Sequence, residues 1–81
     1  MAQRITRDEI NSIVVGTMLQ TTLNLAGDGA HWSEPRPVTS IFALQDDIAG
    51  KRFICGYTQF GPTSEISFSV KEGEPWVRIA A

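Results

Sequence analysis

The sequence predicts one small α+β domain, in which an N-terminal helix packs across a four-stranded antiparallel sheet. Three observations predict this class: a helix-start signature near residue 6, four later runs with strand character, and short connections rich in turn residues. The 81 residues suit a single domain whose hydrophobic core is only just large enough. Because short connections join neighbouring strands, we expect residues 1–81 to form an α-β-β-β-β roll built on a meander.

The helix is predicted from a capping box at its start. Glu9 follows Thr6 by three residues, so each side chain can accept a hydrogen bond from the backbone N–H of the other residue. The Gly-Asp-Gly sequence at residues 27–29 is typical of a helix end. We therefore expect a helix from about Arg7 to Leu25 or Ala26. Because its β-branched residues are weak helix formers, a strand over residues 12–15 stays an alternative.

On this helix, apolar residues fall on two sides. One broad face is wide enough to cover the sheet, and a second stripe lies roughly opposite, formed by Val15, Leu19 and Leu23. A helix that is apolar on two sides must be buried on two sides. Two covers are consistent with the sequence: the loop at residues 26–37, which carries Trp32, or a second protein chain.

Four runs after this loop have strand character. They are separated by turn residues and extend over Val38 to Leu44, Arg52 to Phe60, Glu65 to Val70 and Trp76 to Ala80. The third run alternates apolar and polar residues, which is typical of a strand with one dry and one wet face. The first two runs carry apolar groups on both faces, which predicts that part of the outer sheet face is covered as well.

Composition narrows the classes of function. A net charge of −2 disfavours a surface that binds a phosphate backbone throughout. One cysteine and one histidine cannot form a multi-His or Cys/His metal site in one chain. The first residues lack the apolar core of a signal peptide, and no apolar run approaches the roughly 18 residues that span a bilayer. We expect a cytoplasmic protein without cofactor, metal or membrane contact.

Few single residues point to chemistry. Cys55 and His31 are the only pair for thiolate catalysis, and Cys55 lies inside a predicted strand, where we expect a small buried hydrophobe. Asp46 and Asp47 are adjacent, so their side chains should diverge instead of pairing as acid and base. Gly16 inside the predicted helix costs roughly 1 kcal/mol relative to alanine, and two interpretations stay open: a tolerated glycine without a role, or a close helix crossing.

The sequence favours a non-enzymatic protein-interaction module, such as a regulator, adaptor or inhibitor, that forms a homodimer. Its predicted interface is the exposed sheet face or the helix back, with the anchors Val15, Leu19, Leu23 and Trp32. A second hypothesis is an enzyme or small-ligand protein whose pocket lies between helix and sheet, near His31, Trp32 and Tyr57. A third is a nucleic-acid-associated regulator, in which Trp32 and Tyr57 stack on bases. The phosphates would be bound by basic residues scattered along the chain: Arg4, Arg7, Arg36, Lys51 and Arg52.

Overall fold

A computed structural model describes residues 4–22 and 31–80, which form an antiparallel sheet of five strands and one short helix. The elements are α1 (Arg7–Asn11), β1 (Met18–Thr21), β2 (Arg36–Asp46), β3 (Arg52–Phe60), β4 (Ser64–Lys71) and β5 (Val77–Ile79). The order in the sheet is β4-β3-β2-β1-β5. A small domain dominated by an antiparallel sheet is therefore confirmed, and the number of strands is five instead of four.

The helix begins where the capping box predicts and ends after five residues. The Thr6 hydroxyl accepts from the Glu9 N–H at 3.1 Å, and the Glu9 carboxylate accepts from the Thr6 N–H at 2.9 Å. The prediction of a helix to Leu25 or Ala26 is wrong. The residues that follow are mostly β-branched, and Gly16 has a φ of 96°, which turns the chain into β1.

Gly16 therefore serves a turn and not a helix crossing, because a Cβ added there would meet nothing within 4 Å. The close approach occurs at Gly56 in β3. There an added Cβ would lie 2.1 Å from the backbone oxygen of Ser40, so the backbone of β2 passes too close for any side chain.

The strands β2, β3 and β4 form the predicted meander. At the far side of β2 the sheet continues with β1, and β5 pairs with β1 instead of β4. Ile66 of β4 and Val77 of β5, from strands at opposite ends of the sheet order, line one cavity. The sheet therefore curls around its inner face.

The hydrophobic core fills this inner face. It consists of Ile5, Ile10, Ile13, Leu19, Val38, Ile54, Val70 and Val77. The segment around α1 closes one end of the curled sheet, where the Ile5 N–H donates to the Glu74 carbonyl at 3.2 Å and the Gly73 N–H donates to the Ile5 carbonyl at 2.7 Å. The apolar side of α1 is thus used inside a single chain.

Candidate functional site

The outer face of β2, β3 and β4 carries an exposed aromatic pair. Phe42 is 65% exposed and Tyr57 is 41% exposed, and their ring centroids lie 5.7 Å apart with the planes tilted by 50°. We call this surface the outer patch; it consists of Phe42, Cys55, Tyr57, Ser67 and Ser69. Neighbouring exposed apolar side chains, unlike single ones, are typical of surfaces that bind another molecule.

Strand alternation and one bulge aim these side chains outward. In β3, Ile54 points to the core, so Cys55 and Tyr57 point away from it. In β2, Ile41 pairs with Gly56 and Ala43 pairs with Cys55, which leaves Phe42 as an extra residue without a direct partner. Such a bulge re-aims a side chain, and here it places Phe42 beside Tyr57.

Cys55 occupies the outer patch and not the core. It is half-buried, and its Sγ lies 3.5 Å from the Ser69 Oγ on the neighbouring strand. The prediction of a buried core cysteine is therefore wrong, because the register of β3 places Ile54 inward and its neighbour outward.

Two opposite charges stand at the two ends of β4 on this outer face. Glu65 accepts a hydrogen bond from the Thr39 hydroxyl at one end. At the other end, Lys71 Nζ lies 2.9 Å from Asp47 Oδ2, and this hydrogen bond lowers the pKa of Asp47 and raises the pKa of Lys71. The outward residues of β4 between these charges are both serines.

A cavity of about 320 Å³ opens on the inner side of the sheet, between β4 and the pair β1–β5. Its lining is mainly apolar and includes Leu19, Ile66 and Val77. Arg36 lines it as well, because Arg36 pairs directly with Leu19 and so shares its face. The Arg36 Cζ lies 4.6 Å from the centroid of the Phe60 ring.

A second arginine, on the edge strand β5, also stacks on an aromatic ring. The Arg78 Cζ lies 4.3 Å from the centroid of Trp32, and its Nε donates to the Gln20 Oε1 at 2.9 Å. Arg78 pairs with Gln20, while the adjacent Val77 is buried, so Arg78 faces outward. This contact holds Trp32 half-buried against the sheet.

A charged cluster joins α1 to the end of β2. The Arg7 guanidinium donates to both Asp46 carboxylate oxygens, at 3.0 and 2.9 Å, and lies 3.4 Å from Glu72. Arg52 reaches Asp46 at 3.4 Å. The hydrogen bond from Arg7 holds the pKa of Asp46 below its usual range. Asp46 and Asp47 have different main partners, as expected of adjacent side chains, and the cluster has a structural role.

The predicted interface residues lie in different places. Val15 is exposed in the turn before β1, whereas Leu19 is 4% exposed and belongs to the core. Leu23 lies outside the described residues, and so do residues 26–30 of the loop expected to cover it. The second helical stripe does not exist in the described residues, because the helix ends at Asn11. The homodimer itself stays a prediction.

The predicted ligand mouth near His31, Trp32 and Tyr57 does not coincide with the cavity. Tyr57 lies on the outer face, Trp32 stacks on Arg78, and His31 is exposed; the cavity lining, in the part of the chain that the structure describes, contains none of the three. The cavity also lies between strands instead of between helix and sheet.

Sequence reasoning missed two residues that shape these surfaces. Phe42 falls inside the predicted strand from Val38 to Leu44, and only the bulge shows that it points outward beside Tyr57. Arg36 was one of several scattered basic residues. Its position two residues before Val38 could have predicted that Arg36 faces the inner side, because residues i and i+2 of a strand lie on the same face and Val38 is buried.

Within residues 4–22 and 31–80, no group of three or more His, Cys, Asp or Glu side chains is arranged to hold a metal ion. No helix in these residues has the length and hydropathy needed to cross a bilayer. No protein-family model, curated protein or solved structure matches the chain.

Proposed function

We propose that the protein is a non-enzymatic protein-interaction module that works as a homodimer joined through the outer patch. The observation that carries this proposal is the contact between the exposed rings of Phe42 and Tyr57 on an open sheet face. The centre of a protein interface is typically rich in aromatic residues and poor in charge, and the outer patch has this composition.

The charges at the ends of β4 favour a second copy of the chain as the partner. Glu65 and Lys71 are separated by six residues, which in a strand is about 20 Å. A two-fold axis perpendicular to β4, in the plane of the interface, brings Glu65 of each copy towards Lys71 of the other. Such a self-complementary surface is what a two-fold dimer requires.

The solution mass tests the proposal directly. Light scattering on a size-exclusion column should give a dimer for the native chain and a monomer for the double variant Phe42→Ser/Tyr57→Ser, because the central contacts are lost. Ile48→Ser is the matched control, since Ile48 is also apolar and exposed but lies in the turn between β2 and β3. It should leave the dimer intact.

A native chain that is monomeric at every concentration contradicts the proposal. So does a dimer that survives the double variant. If Val15→Ser separates the subunits instead, the interface lies at the turn before β1, where Val14 and Val15 are exposed. Circular dichroism of each variant shows whether the monomer is folded.

Charge reversal tests the two-fold arrangement. Glu65→Lys places like charges opposite each other and should weaken the dimer, and Lys71→Glu should do the same. Combining both changes restores opposite charges across the axis and should recover much of the affinity. If the combined variant is weaker than either single variant, the proposed orientation is wrong.

A further inference from the structure

The geometry points to a second binding site on the opposite face: the cavity between β4 and β1–β5 binds a small apolar molecule that ends in a carboxylate, with Arg36 holding the carboxylate. This site and the outer patch share only the edge strand β4, whose Ser67 and Ser69 border both surfaces. The cavity uses the inner face of the sheet, whereas the proposed dimer uses the outer face.

The size and lining of the cavity define the apolar part of the ligand. A volume of about 320 Å³ lies at the lower end of the range of small-molecule pockets, which begins near roughly 300 Å³. At about 30 Å³ for each water-sized group, it holds roughly ten such groups. The side chains of Ile66, Phe68 and Val77 on its walls favour a hydrocarbon chain or ring over a sugar or nucleotide.

Arg36 defines the charged end of the ligand. Among the residues that the structure describes, Arg7 and Arg52 each have a carboxylate within 3.4 Å, whereas no carboxylate forms an ion pair with Arg36. Arg36 is half-buried in the lining, so its charge is partly desolvated, and no carboxylate of residues 4–22 or 31–80 compensates it. A ligand carboxylate can supply that anion.

The stack on Phe60 prepares Arg36 for this contact. A guanidinium over an aromatic ring keeps its edge N–H groups free to donate, and it is held in place before the ligand arrives. A planar guanidinium can donate two parallel hydrogen bonds to one carboxylate. The site thus has a fixed cation beside an apolar cavity.

The test is a titration with decanoate, below the concentration at which it forms micelles, followed by two-dimensional ¹H–¹⁵N NMR. Saturable shifts are expected at the lining residues Leu19, Ile66 and Val77. Decanol and decyltrimethylammonium have the same chain without the negative charge. They should bind about tenfold more weakly or worse, because a hydrogen bond to a charged group is lost.

Two arginine variants distinguish binding of the carboxylate by Arg36 from non-specific attraction of decanoate to any positive charge. Arg36→Gln should remove the preference for decanoate over decanol. Arg78→Gln is the matched control, because Arg78 also stacks on an aromatic ring but faces outward, and it should keep that preference. Ile66→Trp, which fills the cavity, should abolish saturable binding of all three probes.

Three results overturn the inference: no saturable shifts, equal binding of decanoate and decanol, or equal losses in Arg36→Gln and Arg78→Gln. If an apolar peptide with a free C-terminal carboxylate binds more tightly than decanoate, the ligand is a peptide, and the inference of a small molecule is wrong. Repeating the titration on the Phe42→Ser/Tyr57→Ser variant keeps the two proposals apart. Loss of the dimer should leave decanoate binding unchanged.

Discussion

The two faces of β3 differ in burial, because alternate residues of a strand point to opposite sides of the sheet. Ile54, Gly56 and Thr58 lie on the inner face and are buried. Tyr57 and Gln59 lie on the outer face and are exposed. The inner residues are explained by packing within the chain. The aromatic residue on the outer face has no such explanation in the described residues. Stability therefore depends mainly on one face, and we assign recognition by a partner to the other.

The largest effect is expected from Gly56→Val, which breaks the inner face. The new Cβ would overlap the Ser40 backbone oxygen, so β2 and β3 must separate. We expect a loss of at least about 3 kcal/mol in the free energy of unfolding, measured by urea denaturation. Gln59→Val, on the outer face of the same strand, should change it by no more than about 0.5 kcal/mol. Similar losses in both variants would contradict the division between the faces.

The second-largest loss of stability is expected at Ile54, and its neighbour Cys55 provides the comparison. Ile54→Ala removes a fully buried side chain and should cost about 3 kcal/mol, because the rigid core leaves a cavity. Cys55→Ala, one residue later, removes a half-exposed thiol and should cost less than about 1 kcal/mol. The difference between their urea midpoints measures how strongly the two faces of β3 differ. A Cys55→Ala variant as unstable as Ile54→Ala would contradict the outward orientation of Cys55.

A smaller effect is expected at the end that α1 closes. Thr6→Ala removes one half of the capping box and should lower the free energy of unfolding by about 1 kcal/mol. Thr63→Ala, in the exposed turn between β3 and β4, is the control and should have almost no effect. The comparison shows whether the five-residue helix contributes to the stability of the inner face. Equal thermal midpoints for the two variants would show that it does not.

The smallest effect concerns pH. The pKa of Asp46 is lowered in the folded protein by its hydrogen bond with Arg7, so the unfolded chain binds this proton more readily. The stabilising contribution is therefore present above roughly pH 4 and is lost as the pH falls through the lowered pKa. Asp46→Asn should reduce the loss of stability between about pH 5 and pH 2 in acid unfolding curves, and a curve that Asp46→Asn leaves unchanged would contradict this contribution.

Local signals in the sequence predicted what depends on near neighbours. Thr6 and Glu9 marked the start of the helix because a capping box is complete within four residues. The bounds of β3, Arg52–Phe60, follow from turn residues on both sides and are confirmed. The end of the helix was misjudged because the glycines at residues 27–29 outweighed the β-branched residues that precede Gly16.

Features that depend on distant contacts were not predictable. The position of β5 beside β1 is set by how the whole sheet curls, which no short stretch of sequence records. The outward position of Phe42 depends on a bulge defined by its partner strand. Arg36 acquires its place in the cavity lining only when β1 and β4 face each other.

The pairing of β5 with β1 also has a consequence for the order of folding. Leu19 and Ile79 are direct partners and lie 60 positions apart in the chain (79 − 19). During synthesis, β2, β3 and β4 can pair as soon as they emerge, while Leu19 has no partner on that side until residue 79 has been made. Because closing so long a loop is entropically costly, completion of the sheet should be the late step, and a ribosome-bound chain lacking residues 77–80 should expose apolar surface to chaperones.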